Sequence, residues 1–198
     1  MQRQSIITAI AILLIFLPMF NGVFANEVPD FTLTDIDDNE FSISSFKGKT
    51  VMLAFIATRV IFSKMLTFIL INVSAQFPND VITILIDVNN ETISIGGDTT
   101  EELQKFRDEC SFNGVVARDT KTVTKDFNVS YVPTLFIIDQ AGYIRYKHVG
   151  VASSREPVLI AEMQNVIPEF PSAFILPTIF IFTLTAIIIY KKELRKAL

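Results

Sequence analysis

Residues 51–57 have the sequence VMLAFIA, a near-continuous apolar run. Such a run is typical of a β-strand that is covered on both of its faces. Residues 81–88, VITILIDV, form a second run of the same kind, and residues 64–77 between the two runs are long enough for a helix. Two buried strands joined by a helix predict a parallel pair with a right-handed crossover.

The segments that follow the second run complete an alternating pattern of helices and strands. The first is a helix over 103–110 that begins with a capping box at Thr99 and Glu102. Two strands follow, over 134–139 and 143–149, and the hairpin turn 139–142 (DQAG) joins them. The last is a helix that opens at Ser153 and Glu156 and ends near Val166. This order predicts an α/β fold with a mixed sheet, an antiparallel edge and flanking helices.

The composition excludes several classes of function. The 198 residues include 17 Lys and Arg, 21 Asp and Glu, one His and one Cys, and the net charge is −4. One cysteine cannot close an internal disulfide, and one His with one Cys cannot form a structural zinc site. A nucleic-acid-binding protein would need a basic stripe to neutralise phosphates. We therefore expect no metal, no cofactor and no nucleic-acid partner.

The N-terminus has the pattern of a secretory signal peptide over residues 1–25. Arg3 supplies a positive charge, residues 6–20 form an apolar run, and residues 23–25 (VFA) resemble a cleavage site. The alternative is an uncleaved N-terminal anchor. Cleavage would leave a mature chain that begins near Asn26, with the domain over 26–167.

The C-terminus carries a second apolar segment. Residues 171–190 are long enough to cross a bilayer, and the basic residues at 191, 192, 195 and 196 favour a cytoplasmic end. We predict a linker over 168–173, a transmembrane helix over 174–190 and a tail over 191–198; the alternative is a buried core helix. The Pro-Glu-Phe motif at 168–170, the apolar span and the basic end resemble the archaeal PEF-CTERM sorting signal, which implies an archaeal source and leaves open whether the span is kept or cut.

Six short pieces of the domain resemble the extracytoplasmic thioredoxin-like redoxins, a group that includes the TlpA-like disulfide reductases and their AhpC/TSA relatives. The pieces are VPDFTL at 28–33, FKGK at 46–49, FIAT at 55–58, VPT at 132–134, FIID at 136–139 and Gly142. The resemblance covers most of residues 27–166. It implies a thioredoxin-like fold, in which a central mixed sheet is flanked by helices.

The chain departs from this family at the position of its chemistry. Members typically have Cys-x-x-Cys at the first strand-to-helix junction, whereas this chain has Val60 at the attacking position and Ser63 at the resolving position. Thiol–disulfide exchange needs a thiolate that attacks and a second thiol that releases the mixed disulfide. A peroxidase register would place the reactive cysteine at Ile61. The resemblance therefore implies a degenerate site, and we predict no catalytic residue there.

The lone thiol, Cys110, lies at the end of the predicted helix over 103–110, next to Asp108 and Glu109. The helix dipole and the two acidic neighbours should raise the pKa of a thiol at this position. We interpret Cys110 as a structural thiol; pairing with a cysteine of another molecule is the alternative.

The resemblance also implies a cis peptide bond before Pro133 and a backbone there that accepts a substrate strand. We therefore predict a peptide-binding site formed by Val132, Pro133 and Thr134 together with Ile61 and Phe62. An apolar patch at this place favours contact with an unfolded segment. Packing of the patch into the core is the alternative interpretation.

These observations predict a membrane-anchored, extracytoplasmic thioredoxin-like domain that has lost its redox pair. The leading hypothesis is a binding or accessory module of thiol–disulfide homeostasis. Its partner would be an extracytoplasmic peptide or protein, including a redox partner that supplies the cysteines. The alternative is an enzyme, either a thiol:disulfide oxidoreductase or a peroxiredoxin-like protein, that acts through Cys110 and a partner thiol.

Overall fold

The computed structural model describes residues 26–88, 97–151, 156–167, 179–187, 190–191 and 195. The predicted signal peptide, the linker over 168–173, and Ser153 at the predicted start of the last helix lie outside the described residues. Within the predicted span, residues 179–187 are described and are helical. None of the described helices has both the length and the apolar character needed to cross a bilayer.

The described domain contains seven strands, one 3₁₀ helix and four α-helices. In chain order they are β1 (Thr32–Thr34), β2 (Glu40–Ser42), the 3₁₀ helix (Ile43–Phe46), β3 (Thr50–Ile56), α1 (Ile61–Ser74), β4 (Val81–Asp87), α2 (Thr100–Cys110), β5 (Val115–Arg118), α3 (Val123–Asp126), β6 (Thr134–Ile138), β7 (Ile144–Val149) and α4 (Glu156–Val166).

The central sheet has the strand order β5-β4-β3-β6-β7. Strands β3, β4 and β5 are parallel, while β6 is antiparallel to β3 and β7 is antiparallel to β6. The predicted mixed α/β sheet with an antiparallel edge is therefore confirmed. The three parallel strands end in one row, because Ile56 is in register with Asp87, and Asp87 with Arg118.

Helix α1 begins three residues before its predicted start and ends three residues before its predicted end. The start was misplaced because Val60, the N-cap residue, forms no side-chain cap that could mark it. The end precedes Pro78, and the residue before a proline disfavours helical geometry. The capping box of α2 is present as predicted, with Thr99 accepting from the N–H of Glu102.

Two apolar clusters cover the two faces of the sheet. Helices α1, α2 and α4 pack on one face, where Leu70, Leu103 and Met163 are buried. Strand β1, the 3₁₀ helix and α3 cover the other face, where Phe127 packs against Phe55 with ring centroids 5.3 Å apart. All seven residues of β3 are consequently buried. The loop after β3 is the first point at which the chain leaves this core.

Gly114 offers a test of the packing beside β5. A Cβ atom at this position would lie 2.3 Å from the carbonyl oxygen of Thr83 and 2.5 Å from the ring of Phe112. We expect Gly114→Ala to lower the free energy of unfolding by about 1–3 kcal/mol through overpacking. Urea denaturation measures the change, with Asn113→Ala at the exposed neighbour as the control. Equal stabilities of the two variants would contradict the packing described here.

Candidate functional site

The candidate site begins at the loop between β3 and α1. Val60 has an extended backbone and caps α1, and Ile61 is the first helical residue. Ser63 is fully buried; its Oγ accepts from the N–H of Ala57 (3.2 Å), and its own N–H donates to the carbonyl of Val60 (2.9 Å). Val60 and Ser63 therefore lie one helical turn apart at the junction where the resemblance places the two cysteines.

The outward side of α1 is apolar. Ile61 is 65% exposed and Phe62 is 53% exposed, and Met65 and Phe68 are also exposed along the helix. We call these four residues the apolar face. A surface helix normally presents polar residues to solvent, whereas a helix that is apolar all round is typically covered. Val60 differs from its two neighbours, because it is half-buried and packs against the core.

The Pro133 loop lies beside this helix start. Thr134 pairs with Phe55 in the β3–β6 register, which brings the preceding loop next to the end of β3. The Val132–Pro133 peptide bond is cis, as the resemblance implies. Val132 packs against the same apolar cluster as Val60. The structure thus places the start of α1, with Ile61 and Phe62, and the Pro133 loop at the same end of the β3–β6 pair.

The backbone of the Pro133 loop is only partly hydrogen-bonded. The carbonyl of Pro133 accepts from the N–H of Gly150 (2.7 Å), and the hydroxyl of Thr134 donates to the carbonyl of Tyr131 (2.7 Å). Within the described part of the chain, the N–H and C=O of Val132 form no backbone hydrogen bond. Tyr131 is 71% exposed next to them. The backbone donor and acceptor of Val132 therefore lie next to an exposed aromatic ring in the chain.

Asp98 holds the loop between β3 and α1 from behind. Its Oδ2 accepts from the N–H of Thr58 (3.0 Å) and from the hydroxyl of Thr58 (2.7 Å). Its Oδ1 lies 3.4 Å from Nε of Arg59, and a second nitrogen of Arg59 lies 3.4 Å from Glu102. Asp98 is fully buried, whereas the side chain of Arg59 is exposed, so the hydrogen bonds to Thr58 are the contacts that fix the position of the loop.

A second buried carboxyl group, Asp87, positions Asp98. Its Oδ2 accepts from the N–H of Gly97 (3.0 Å) and from that of Asp98 (2.9 Å). Burial raises the pKa of Asp87 to about 7, and the neighbouring charge of Asp98 acts in the same direction, while the two N–H donors oppose it. Because this pKa lies above its unfolded value, Asp87 stabilises the fold most at acid pH, and that contribution is lost as the pH rises towards 7.

Sequence reasoning missed this pair of aspartates. The available signal was weak, since Asp87 is a charged residue that ends an otherwise apolar strand, and Asp98 directly precedes the capping box of α2. Neither position reveals from the sequence that the two side chains meet behind Thr58.

Cys110 lies inside the core, away from solvent. It is the last residue of α2 and packs in the apolar cluster beneath α1 and α4. Burial raises the pKa of its thiol, although Lys64 opposes the shift; Lys64 itself is paired with Glu109 at 2.8 Å. A thiol in this environment is a poor nucleophile.

Metal-ligating side chains are not grouped in the described residues. No three His, Cys, Asp or Glu side chains in this part of the chain are close enough to hold an ion together. The ring of His148 stacks on Tyr146 in β7, with centroids 6.3 Å apart.

Comparisons with known proteins support the fold. The model of the AhpC/TSA family matches residues 24–147. The thioredoxin-like protein YneN of Bacillus subtilis is 24% identical over 130 residues, which are 66% of this chain and 74% of YneN. A protein from Chlorobium tepidum, provisionally named thiol:disulfide interchange protein DsbE, superposes with a TM-score of 0.62 at 21% identity, covering 72% of this chain and 96% of the other. The thioredoxin domain of a thiol-disulfide oxidoreductase from Bacteroides vulgatus superposes with a TM-score of 0.61 at 17% identity, covering 73% of this chain and 97% of the other. The central sheet with its flanking helices is therefore a thioredoxin-like α/β fold.

The register of Val60 and Ser63 can be tested by introducing cysteines. In a Cys110→Ser background, we expect Val60→Cys with Ser63→Cys to form an intramolecular disulfide, because residues three apart in the first helical turn are neighbours. The helix N-terminus and Arg59 should also lower the pKa of the thiol at position 60 below about 8.5. Mass spectrometry of alkylated protein measures the bond, with Val60→Cys alone as the control. A folded double variant that keeps two free thiols would show that the register is wrong.

Proposed function

Because this chain belongs to the AhpC/TSA family, we propose that it is a thioredoxin-like binding or accessory module of thiol–disulfide homeostasis that holds an extracytoplasmic peptide or protein. The observation that carries the proposal is the exposed pair Ile61 and Phe62 at the same end of the β3–β6 pair as Val132, whose N–H and C=O form no backbone hydrogen bond within the described residues. The module recognises its partner at the place where the resemblance puts the redox pair, without supplying the reactive sulfur.

The thiol content of the chain supports a non-catalytic role. Cys110 is the only cysteine, and it is buried with a raised pKa. Disulfide exchange proceeds through a thiolate that must reach the sulfur under attack. Redox chemistry at this site would therefore need cysteines of the partner. The enzyme alternative, acting through Cys110, requires this thiol to leave the core.

The exposed groups fit an extended peptide. A strand laid beside Val132 can accept from its N–H and donate to its C=O, which is the backbone pairing of strand addition. An apolar side chain of the same strand can then contact Ile61, Phe62 and Tyr131. Backbone pairing supplies affinity that does not depend on the partner's sequence, and the apolar contact favours segments with exposed hydrophobic side chains.

The names of the structural neighbours suggest the class of partner. The neighbours from Chlorobium tepidum and Bacteroides vulgatus are named for thiol:disulfide interchange and thiol-disulfide oxidoreduction. We extend this to the present chain as a proposal about its partner, a protein that forms or exchanges disulfides outside the cytoplasm. Such a protein exposes extended segments while its cysteines are still being paired.

Anchoring in the membrane is part of the proposal. Its support is the sequence pattern at the two ends: the signal-like residues 1–25, the apolar residues 174–190 and the basic tail 191–198. In this arrangement the domain over 26–167 faces outward, and the tail is cytoplasmic. The tether between the end of α4 and the apolar segment is short, so the domain would stay close to the bilayer.

The partner site is tested by a substitution in the apolar face. We expect Ile61→Asp to weaken binding of carboxymethylated α-lactalbumin, a permanently unfolded chain, by about tenfold or more, because burial of one Ile side chain contributes about 1.5–3 kcal/mol. The full chain in lipid nanodiscs is titrated, and binding is followed by fluorescence anisotropy. Val158→Asp, an exposed valine on α4, is the matched control and should bind as the unaltered chain does.

Two outcomes would contradict the binding role. One is equal binding by the unaltered chain and Ile61→Asp, which would exclude the apolar face as the site. The other is insulin reduction or peroxide turnover by the unaltered chain that Cys110→Ser abolishes, which would favour the enzyme alternative.

The anchor is tested by extraction and protease accessibility. We expect the full chain to stay with the membrane in alkaline carbonate, and a chain that ends at residue 173 to be released, because the apolar segment supplies the attachment. Protease added outside intact cells should digest the domain. Release of both chains alike, or protection of the domain from the external protease, would contradict the proposed topology.

A further inference from the structure

A chain of hydrogen bonds connects Asp87, through Asp98, to the loop that leads into α1. Asp87 accepts from the N–H groups of Gly97 and Asp98, and Asp98 in turn accepts from the N–H and hydroxyl of Thr58. Thr58 is two residues before Val60, where α1 and its apolar face begin. The position of the apolar face is thus connected to Asp87 through two short, buried steps.

Within the described residues, each of the two carboxyl groups has one buried oxygen that accepts no hydrogen bond. These are Oδ1 of Asp87 and Oδ1 of Asp98, and the latter lies 3.4 Å from Nε of Arg59. Two carboxylates cannot bond to each other, since both only accept. One proton placed between them removes the conflict, because the protonated group donates to the ionised one. Such a bond between the two carboxyl groups favours the protonated form of Asp87.

Both positively and negatively charged side chains surround the Asp87–Asp98 pair. The charged groups around Asp87 and Asp98 are Arg59, which contacts Asp98 and Glu102, and Arg118, the register partner of Asp87 on β5, whose buried Nε has no partner within the described residues. Asp119 directly follows β5, and its N–H donates to the carbonyl of Asp87. Asp119 is itself satisfied by the N–H groups of Val123 and Thr124. Arg118 forms no ion pair with Asp87 in the described structure, so a second negative charge at the pair would lack a direct counter-ion.

We propose that Asp87 carries a proton that it donates to the carboxylate of Asp98, and that this hydrogen bond holds the loop at Thr58 and thereby makes the apolar face competent to bind its partner. Loss of the proton places two adjacent negative charges in a buried site, and their repulsion displaces Asp98 from Thr58 and Arg59. Only the final step, partner binding, rests on the proposed function. Asp87 and Asp98 are positioning residues in this scheme, because neither contacts the partner.

The direction of the pH response follows from the chemistry of the pair. With its pKa at about 7, Asp87 keeps its proton at pH 6 and has lost it in most molecules at pH 8. For a single proton with this pKa, the proton-linked equilibrium changes by about tenfold between these two pH values. The loop is therefore held more firmly, and the partner bound more tightly, on the acid side.

The first experiment measures the loop without any partner. Hydrogen–deuterium exchange of residues 57–62 is followed by mass spectrometry in the full chain in nanodiscs, at pH 6 and pH 8, after correction for the intrinsic exchange rate. We expect protection at Thr58 to fall by about tenfold at pH 8. Asp87→Asn should abolish the difference, because the Asn side chain still accepts from Gly97 and can donate permanently to Asp98.

A matched control and a second variant keep the result interpretable. Asp108→Asn removes one negative charge from the exposed side of α2 and should keep the pH difference of the unaltered chain. Thr58→Val removes the hydroxyl contact to Asp98 and should lower protection at both pH values. The inference is overturned if the unaltered chain shows no pH difference, or if Asp87→Asn retains it.

The second experiment adds the unfolded probe, carboxymethylated α-lactalbumin. We expect its affinity for the full chain to fall by about tenfold from pH 6 to pH 8, and to be independent of pH in Asp87→Asn. Equal affinity at both pH values would contradict the coupling between the proton and partner binding, but not the binding role itself. If the probe binds at neither pH while the exchange at Thr58 still depends on pH, the binding role is refuted and the proton between Asp87 and Asp98 remains supported.

Discussion

The complete burial of β3 is the constraint on which the rest of the structure depends. The strand is paired on both edges, by β4 and β6, and is covered on both faces by apolar clusters. A strand in this position can carry no exposed functional group along its length. Side chains of this segment first reach solvent where the chain emerges, at residues 58–60. The ends of β4 and β5 are in register with the end of β3, so other parts of the chain meet it there.

At this emergence point the chain has the backbone arrangement of the thioredoxin-like fold and an apolar surface. The start of α1 and the Pro133 loop lie side by side, as strand register requires, yet the first turn of α1 exposes Ile61 and Phe62 in a chain whose single thiol is buried elsewhere. An aliphatic or aromatic side chain cannot form the mixed disulfide that thiol–disulfide exchange requires, but it can exclude water from a bound peptide segment. The same scaffold that would orient a nucleophile can thus orient a partner.

The buried aspartates show how this surface is coupled to the core. Asp98 is hydrogen-bonded to a residue 40 positions earlier in the chain, and Asp87 fixes Asp98 from the end of β4. Burying two carboxyl groups next to each other opposes folding unless a proton or a cation compensates them. Placing such a pair behind a binding loop makes the loop sensitive to protonation, whereas an apolar pair in the same place would make it insensitive.

Much of the fold follows from the sequence, because local patterns carry it. The apolar runs at 51–57 and 81–88 predicted the central parallel strands, and Thr99 with Glu102 predicted the start of α2. The short elements β5 and α3 were missed, since four residues are too few to show a period. The single cysteine and the valine at position 60 are likewise evident from the sequence alone.

The arrangement of the site was decided only by the tertiary structure. Thr58 meets Asp98, and Val132 lies beside the start of α1, because β3 pairs with β4 on one edge and with β6 on the other. These contacts join residues far apart in the chain, and no periodicity within one segment encodes them. The burial of Cys110 has the same origin. The helical period fixes the face of α2 on which Cys110 lies, but only the packing of α1 and α4 against that face removes the thiol from water.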